Sequence, residues 1–174
     1  MSVGEKLEEY RLMRISENVC RAINDQINAE MWSSNLYLSM SMHFKNEGYN
    51  GFAKWLFAQS REELEHAYEM ADYLNKRGGK VEIGAIAEVP VKFGTPLDVF
   101  EQVYEHECHV TQLIEGVVRV ASEARDMASQ DFFWKFIREQ VEEEDTAAGI
   151  VNDIGLAGGV HLTLIDQALG TRQA

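Results

Sequence analysis

Proline and cysteine are scarce in this chain: two of each in 174 residues. Cys20 and Cys108 lie far apart and no CxxC occurs, which excludes a disulfide framework and a thiolate metal site and makes a reducing cytosol the expected compartment. Positive charge is short too. Sixteen Lys and Arg face 29 Asp and Glu, a formal net charge of -13. Such a surface repels phosphate backbones and anionic lipid and attracts cations, so no nucleic-acid or membrane partner is expected. No uninterrupted apolar run approaches the ~18 residues of a membrane span, and Met1 to Tyr10 is polar, so no export signal is expected either. Against these absences stand 45% hydrophobic and 26% charged residues, a globular composition. The length is that of one domain, able to bury about two-thirds of its unfolded surface.

The few breakers fall at Gly48 to Gly51, Gly78-Gly79, Gly84 to Pro96, and Gly155 to Gly159. They predict long helices over about 14–47, 51–78, 96–124 and 129–157, with residues 1–13 as an N-terminal extension and a short fifth helix over 160–170. Thr95 is a candidate N-cap ahead of Pro96 and Asp98, and Ser129 with Asp131 a candidate opening of the fourth helix. The first and third links are short, so each joins antiparallel neighbours. The second link, ~17 residues, can reach ~50 Å when extended, enough to cross a bundle lengthwise and leave the second and third helices parallel. All-α architecture follows: a four-helix bundle of two antiparallel hairpins joined by a long crossover.

Steps of three and four residues mark the seam of each helix. The first reads Val19, Ile23, Ile27, Glu30, Ser34, Tyr37, Ser41, Phe44; the second Phe52, Leu56, Gln59, Glu63, His66, Met70, Tyr73. The third reads Leu97, Phe100, Tyr104, Glu107, Thr111, Ile114, Val118; the fourth Phe133, Phe136, Gln140, Glu143, Ala147, Ile150, Ile154. Each seam is apolar at both ends and acidic near its middle. One Glu on such a stripe is ordinarily a rim position, but Glu30, Glu63, Glu107 and Glu143 at one level require neutralisation, since unpaired buried charge costs several kcal/mol. Two divalent ions would cancel four carboxylates. His66 follows Glu63 on the same face, as the chain's sole ExxH. Oxygen ligands with one imidazole suit Fe(II), Mn(II) or Zn(II), not Cu(I) or an iron-sulfur cluster. Glu63 is placed to bridge two metals, Glu30 and His66 completing one and Glu107 and Glu143 the other. Tyr37 reads equally as a site residue or as a core aromatic.

Asn28-Ala29-Glu30 with Ser33-Ser34 and Tyr37, Glu62-Glu63 with His66, Tyr104-Glu105-His106-Glu107, and Glu139-Gln140 with Glu142-Glu143-Glu144 resemble bacterial non-haem ferritin. The resemblance covers Ile15 to Leu169 and implies the ferritin-like fold. It also implies iron storage with ferroxidase activity: Fe(II) oxidised by O2 or peroxide at a dinuclear centre, and Fe(III) mineral deposited inside a shell. The established template of such bundles carries ExxH on two helices; here the fourth helix has Gln140-Val141-Glu142-Glu143 instead, which the non-haem branch implies and which adds Gln140 to the centre. Leu64 stands where bacterioferritins carry a haem-ligating methionine, so no haem is expected. The resemblance further implies a third iron site at Glu62, Glu139 and Glu142, a homo-oligomeric 24-mer, and a fifth helix lining its four-fold axes. Read from the residues alone, those three acids are equally a solvated face, and Leu162 to Leu169 is an apolar segment needing a partner.

Three rival readings stand beside this one. A di-iron oxidase or peroxidase would keep its metals permanently; a helical scaffold would turn its acids to solvent; a DNA-protecting mini-ferritin would place ligands across a subunit interface. His43, His106, His109 and His161 receive no role, and the two cysteines read as packing residues.

Overall fold

A computed structural model of the protein describes residues 2–12, 15–157 and 159–171. Its helices are α1 (Val3–Leu12), α2 (Glu17–Glu47), α3 (Asn50–Lys76), α4 (Pro96–Glu123), α5 (Met127–Leu156) and α6 (Gly159–Leu169), and no strand occurs among the described residues. No helix is long and apolar enough to cross a membrane.

Local chemistry fixes the boundaries. Ser16 caps α2, accepting from the Val19 amide, and Gly48 closes it at φ 88°, a left-handed turn that glycine adopts freely. Thr95 and Asp98 form a reciprocal capping box on α4, with proline in its first turn, as the sequence predicts. The fourth long helix departs from expectation. Asp126, not Ser129, opens α5: its carboxylate accepts from the Ser129 amide, putting Ser129 inside the first turn. Within the expected extension, residues 3–12 form α1. The first-helix boundary at residue 14 lies outside the described residues, and Glu17 is the first residue of α2.

Helices α2 with α3 and α4 with α5 pack as hairpins, and α2 also packs on α4. The crossover's direction is written in its hydrogen bonds to α2. Asn24 Nδ2 donates to the Lys80 carbonyl (2.9 Å) and Asn24 Oδ1 accepts from the Glu82 amide (2.8 Å); Asn28 repeats the clamp on Glu82 and Gly84. Further along α2, Trp32 donates to Glu88 O and Ser39 to Pro90 O, and His43 meets Gly94 O. Residues 80–94 therefore run along α2 from its beginning to its end, and α3 and α4 are parallel.

Two apolar clusters fill the bundle. One joins Phe44, Phe52, Trp55, Phe100 and Ile154; the other joins Val19, Ile27, Met70, Ile114 and Phe133. The seam of α2 is buried throughout, as read from sequence. The seam of α4 is not: Tyr104 is exposed and Val103 takes the core position, because the buried stripe runs Phe100, Val103, Glu107, Val110, Ile114, Val117, alternating the same steps of three and four in the opposite order. The fifth helix also differs. Leu162, Ile165 and Leu169 pack on the bundle's own end, leaving Leu164 as its large exposed apolar residue among those described.

Candidate metal centre

Between the two clusters lies a polar layer built from the middles of four helices. Glu30 of α2 is 1% exposed. One turn earlier, Gln26 donates through Nε2 to Glu30 Oε1 at 2.8 Å. The other oxygen, Oε2, is buried with no hydrogen-bond partner. Beside it stands Glu63 of α3, 3% exposed and also an acceptor, so the two carboxyls could satisfy each other only by sharing a proton. His66 Nδ1 lies 3.5 Å from Glu63 Oε2, and Glu30, Glu63 and His66 each bring one ligand atom within 4.8 Å of the others.

Electrostatics report how unfavourable this grouping is without a cation. Burial, reinforced by the Glu63 charge, raises Glu30 well above the ordinary carboxyl range. Glu63 is pushed up to about 8, first by burial and then by Glu107. Among the described residues no Lys or Arg pairs with Glu30, Glu63 or Glu107.

Glu107 of α4, 1% exposed, is held from two sides. The Tyr37 hydroxyl donates to its Oε1; Gln140 Nε2 of α5 donates to its Oε2 (3.0 Å) and to its carbonyl (3.2 Å). Burial raises this carboxyl too, while the two donors oppose the shift. Tyr37 is raised well above its usual value by burial and then by Glu107, so it stays a phenol and a donor. Glu143, half-buried, accepts from Gln59 Nε2 at 3.0 Å.

The structure thus brings Glu30, Tyr37, Glu63, His66, Glu107, Gln140 and Glu143 to one layer. The outer acids are less unified. Glu139 is exposed, its Oε2 3.7 Å from His66 Nε2; Glu62, half-buried, is close enough to push Glu63 upward. Glu142 is exposed and, among the described residues, makes no ion pair or hydrogen bond.

Sequence reasoning found Tyr37 and Gln140, which hold Glu107, but missed Gln26 and gave Gln59 only a place on the seam. Gln26 and Gln59 each stand four residues before a buried Glu, a same-face spacing that could have flagged them. Thr111, on the predicted seam, donates to Glu144 Oε1 at 2.5 Å, and nothing in the spacing singles out Glu144. His106, without assigned role, is largely buried: its Nε2 is 2.8 Å from Ser33 Oγ, and burial and then His109 drive its pKa down to about 4.

A family profile described as Ferritin-like domain matches residues 20–157. Bacterial non-heme ferritin of Bacteroides fragilis is 56% identical over 158 residues, 91% of this chain and 99% of that one. Its Campylobacter jejuni counterpart is 38% identical over 155 residues, 88% and 93% of the two chains. Among solved structures, an open pore ferritin from the hyperthermophilic archaeon Archaeoglobus fulgidus superposes with a TM-score of 0.90 at 42% identity, covering 92% of this chain and 99% of that one.

Proposed function

Because the chain belongs to the ferritin family and is on that footing an iron-storing ferroxidase, we propose that its polar layer is a dinuclear centre at which Fe(II), substrate and cargo at once, is oxidised before storage. One observation carries this reading: Glu30 Oε2, buried without a donor beside a second buried carboxyl and an imidazole. An orphaned oxygen of this kind is strongly unfavourable in a protein interior, and a cation relieves it. Glu30 and His66 hold one Fe(II), Glu107 and Glu143 the other, and Glu63 bridges them, so that four carboxylates balance two divalent ions.

The remaining side chains orient rather than react. Gln26 commits one Glu30 oxygen to a hydrogen bond and turns the other toward the metal. Tyr37 and Gln140 each spend a donor on Glu107, fixing its plane while leaving lone pairs for a cation. Two Fe(II) supply one electron each, and O2 with two protons takes up both to reach the peroxide level. Carboxylates that can change coordination mode let the Fe(III) product leave, as storage requires. Glu62, Glu139 and Glu142 form an acidic flank where a third iron rests. The whole chain acts as one domain and assembles in the cytoplasm into a 24-subunit shell, α6 lining its four-fold axes.

Stepwise aerobic addition of Fe(II), followed at ~300 nm and by retained iron per particle, tests the reading. Retention far beyond what the binding sites can hold is expected. Saturation at the stoichiometry of the sites would identify a di-iron oxidase instead. Glu63→Ala or His66→Ala should abolish rapid oxidation and leave the folded oligomer; oxidation at the wild-type rate in both would sink the assignment.

A further inference from the structure

We infer that an apolar pocket between α2 and α4 is the route by which dioxygen reaches the polar layer, stopped at its inner end by the Ser33 and His106 pair. The inference rests on the proposed ferroxidase reading, which supplies O2 as a substrate but not its path. The pocket has a volume of about 370 Å³ and is lined by Ala29, Trp32 and Ser33 of α2 and by His106, His109 and Leu113 of α4. In a chain with 29 acidic residues, no Asp, Glu, Lys or Arg lines it.

Its inner wall is formed by residues next in sequence to two of the proposed ligands. Ala29 directly precedes Glu30, and His106 directly precedes Glu107. Ser33 Oγ lies 3.1 Å from the Ala29 carbonyl and 2.8 Å from His106 Nε2, which ties the α2 and α4 walls of the pocket together. The His106 ring meets Tyr37 edge-on, centroids 5.7 Å apart, and Trp32 at 5.4 Å. Tyr37 in turn bonds Glu107. From the pocket inward, the His106 imidazole and then the Tyr37 ring lead to Glu107.

The lining selects by charge. A hydrated Fe(II) ion would have to shed water against indole and leucine with two imidazoles and a hydroxyl but no carboxylate to balance its charge, which is unfavourable. Neutral, apolar O2 incurs no such penalty. The α3/α5 side offers the reverse: Glu62, Glu139 and half-buried His66 present oxygen and nitrogen ligands to a cation. Oxidant and metal thus approach the layer by separate ways, each matched to its chemistry.

Leu113→Trp tests this by filling the pocket from a position nearly two turns past Glu107 and outside the proposed ligand set. Oxidation is measured by stopped flow at saturating Fe(II) across a range of O2 concentrations, with anaerobic Fe(II) titration alongside. The expected result is a KM for O2 raised about tenfold, with kcat at saturating O2 and Fe(II) stoichiometry unchanged. Xenon under pressure, an apolar probe of dioxygen's size class, should occupy the pocket in wild-type crystals. An unaltered O2 dependence in a folded variant overturns the inference, as does a raised KM for Fe(II) in its place. Should the variant not fold, an empty pocket in xenon-treated wild type overturns it alone. Failure of the wild type to oxidise Fe(II) at all would strike the ferroxidase reading instead.

Discussion

The apolar ends of the bundle and the layer between them are made by the same helices under opposite physical demands. At one end Phe44, Phe52 and Phe100 close ring on ring, with centroids 5.2 to 5.9 Å apart; at the other Phe133 and Phe136 pack with Ile23 and Ile114. In between, Glu30, Glu63, Glu107 and Gln140 are as buried as those rings. The ends gain free energy from leaving water, and the middle loses it. Long helices reconcile the two, because two clusters supply enough stability to carry a layer that is unfavourable until a cation arrives.

The largest expected effect therefore lies away from the chemistry. Phe44→Ala, at a fully buried position in the aromatic cluster, should destabilise by about 3–5 kcal/mol through lost transfer energy and the cavity left behind. Fe(II) oxidation measured well below the new melting temperature should persist. Loss of oxidation in a still folded variant would show that the ends shape the layer instead of merely supporting it.

The second prediction concerns the layer without metal. Glu63 titrates at about 8 in the folded protein, against an ordinary ~4.3 unfolded. A raised carboxyl binds its proton more tightly when folded, so the stability it contributes is intact below the unfolded value and is lost as pH rises through about 8. Glu30 and Glu107, also raised, act with the same sign. Chelator-treated protein should thus melt lower at pH 8 than at pH 5.5, with up to ~1.4 kcal/mol per pH unit from each such group. Glu63→Gln should flatten the slope, and adding Fe(II) anaerobically should close the gap. A flat profile for the metal-free wild type would mean that the layer tolerates its charges unaided.

The same contrast explains what could be read from the sequence. Periodicity exposes the ends and, by interruption, the middle: Glu30, Glu63, Glu107 and Gln140 were all legible as polar residues on an apolar stripe, and each is buried. Capping chemistry located α4 to the residue through Thr95 and Asp98. Periodicity fails where steps of three and four fit in either order, as at Tyr104, and where two caps compete, as with Asp126 against Ser129. Pairwise geometry was not legible at all. Gln26 could have been tied to Glu30 by spacing, but that His106 closes on Ser33 depends on the crossing of α2 and α4, which no local pattern encodes.

Gln26 gives the third prediction. Its carboxamide is the hydrogen-bond donor to Glu30, and Gln26→Leu removes that donor at similar volume. Glu30 Oε1 is then also unsatisfied, and the carboxylate can rotate. Weaker binding of one Fe(II), by about tenfold, is expected in anaerobic titration, equivalent to ~1.4 kcal/mol. Gln26→Glu should differ, since a second carboxylate competes for the ion. Equal affinities in wild type and Gln26→Leu would show that packing alone orients Glu30.

The smallest effect belongs to a contact at the outer edge of one apolar end, where α6 meets the start of α3. Tyr49 precedes α3 without a capping side chain. Asp166 of α6 takes that role, its Oδ1 accepting from the Phe52 amide at 2.8 Å, and Lys54 Nζ donates to the Gly170 carbonyl at 2.9 Å. The approach is close enough that a Cβ on Gly51 would lie 1.6 Å from the Asp166 carbonyl oxygen, so only glycine fits there. Asp166→Ala should cost about 1 kcal/mol, the usual value of a lost N-cap. Asp166→Asn keeps the acceptor and should retain most of that stability. Because Gln59 and Glu63 lie two to three turns further along α3, oxidation rates should not change in either variant. A drop in rate with Asp166→Ala, measured on the folded protein, would mean that docking of α6 reaches the polar layer and that the ends and middle of this bundle are coupled.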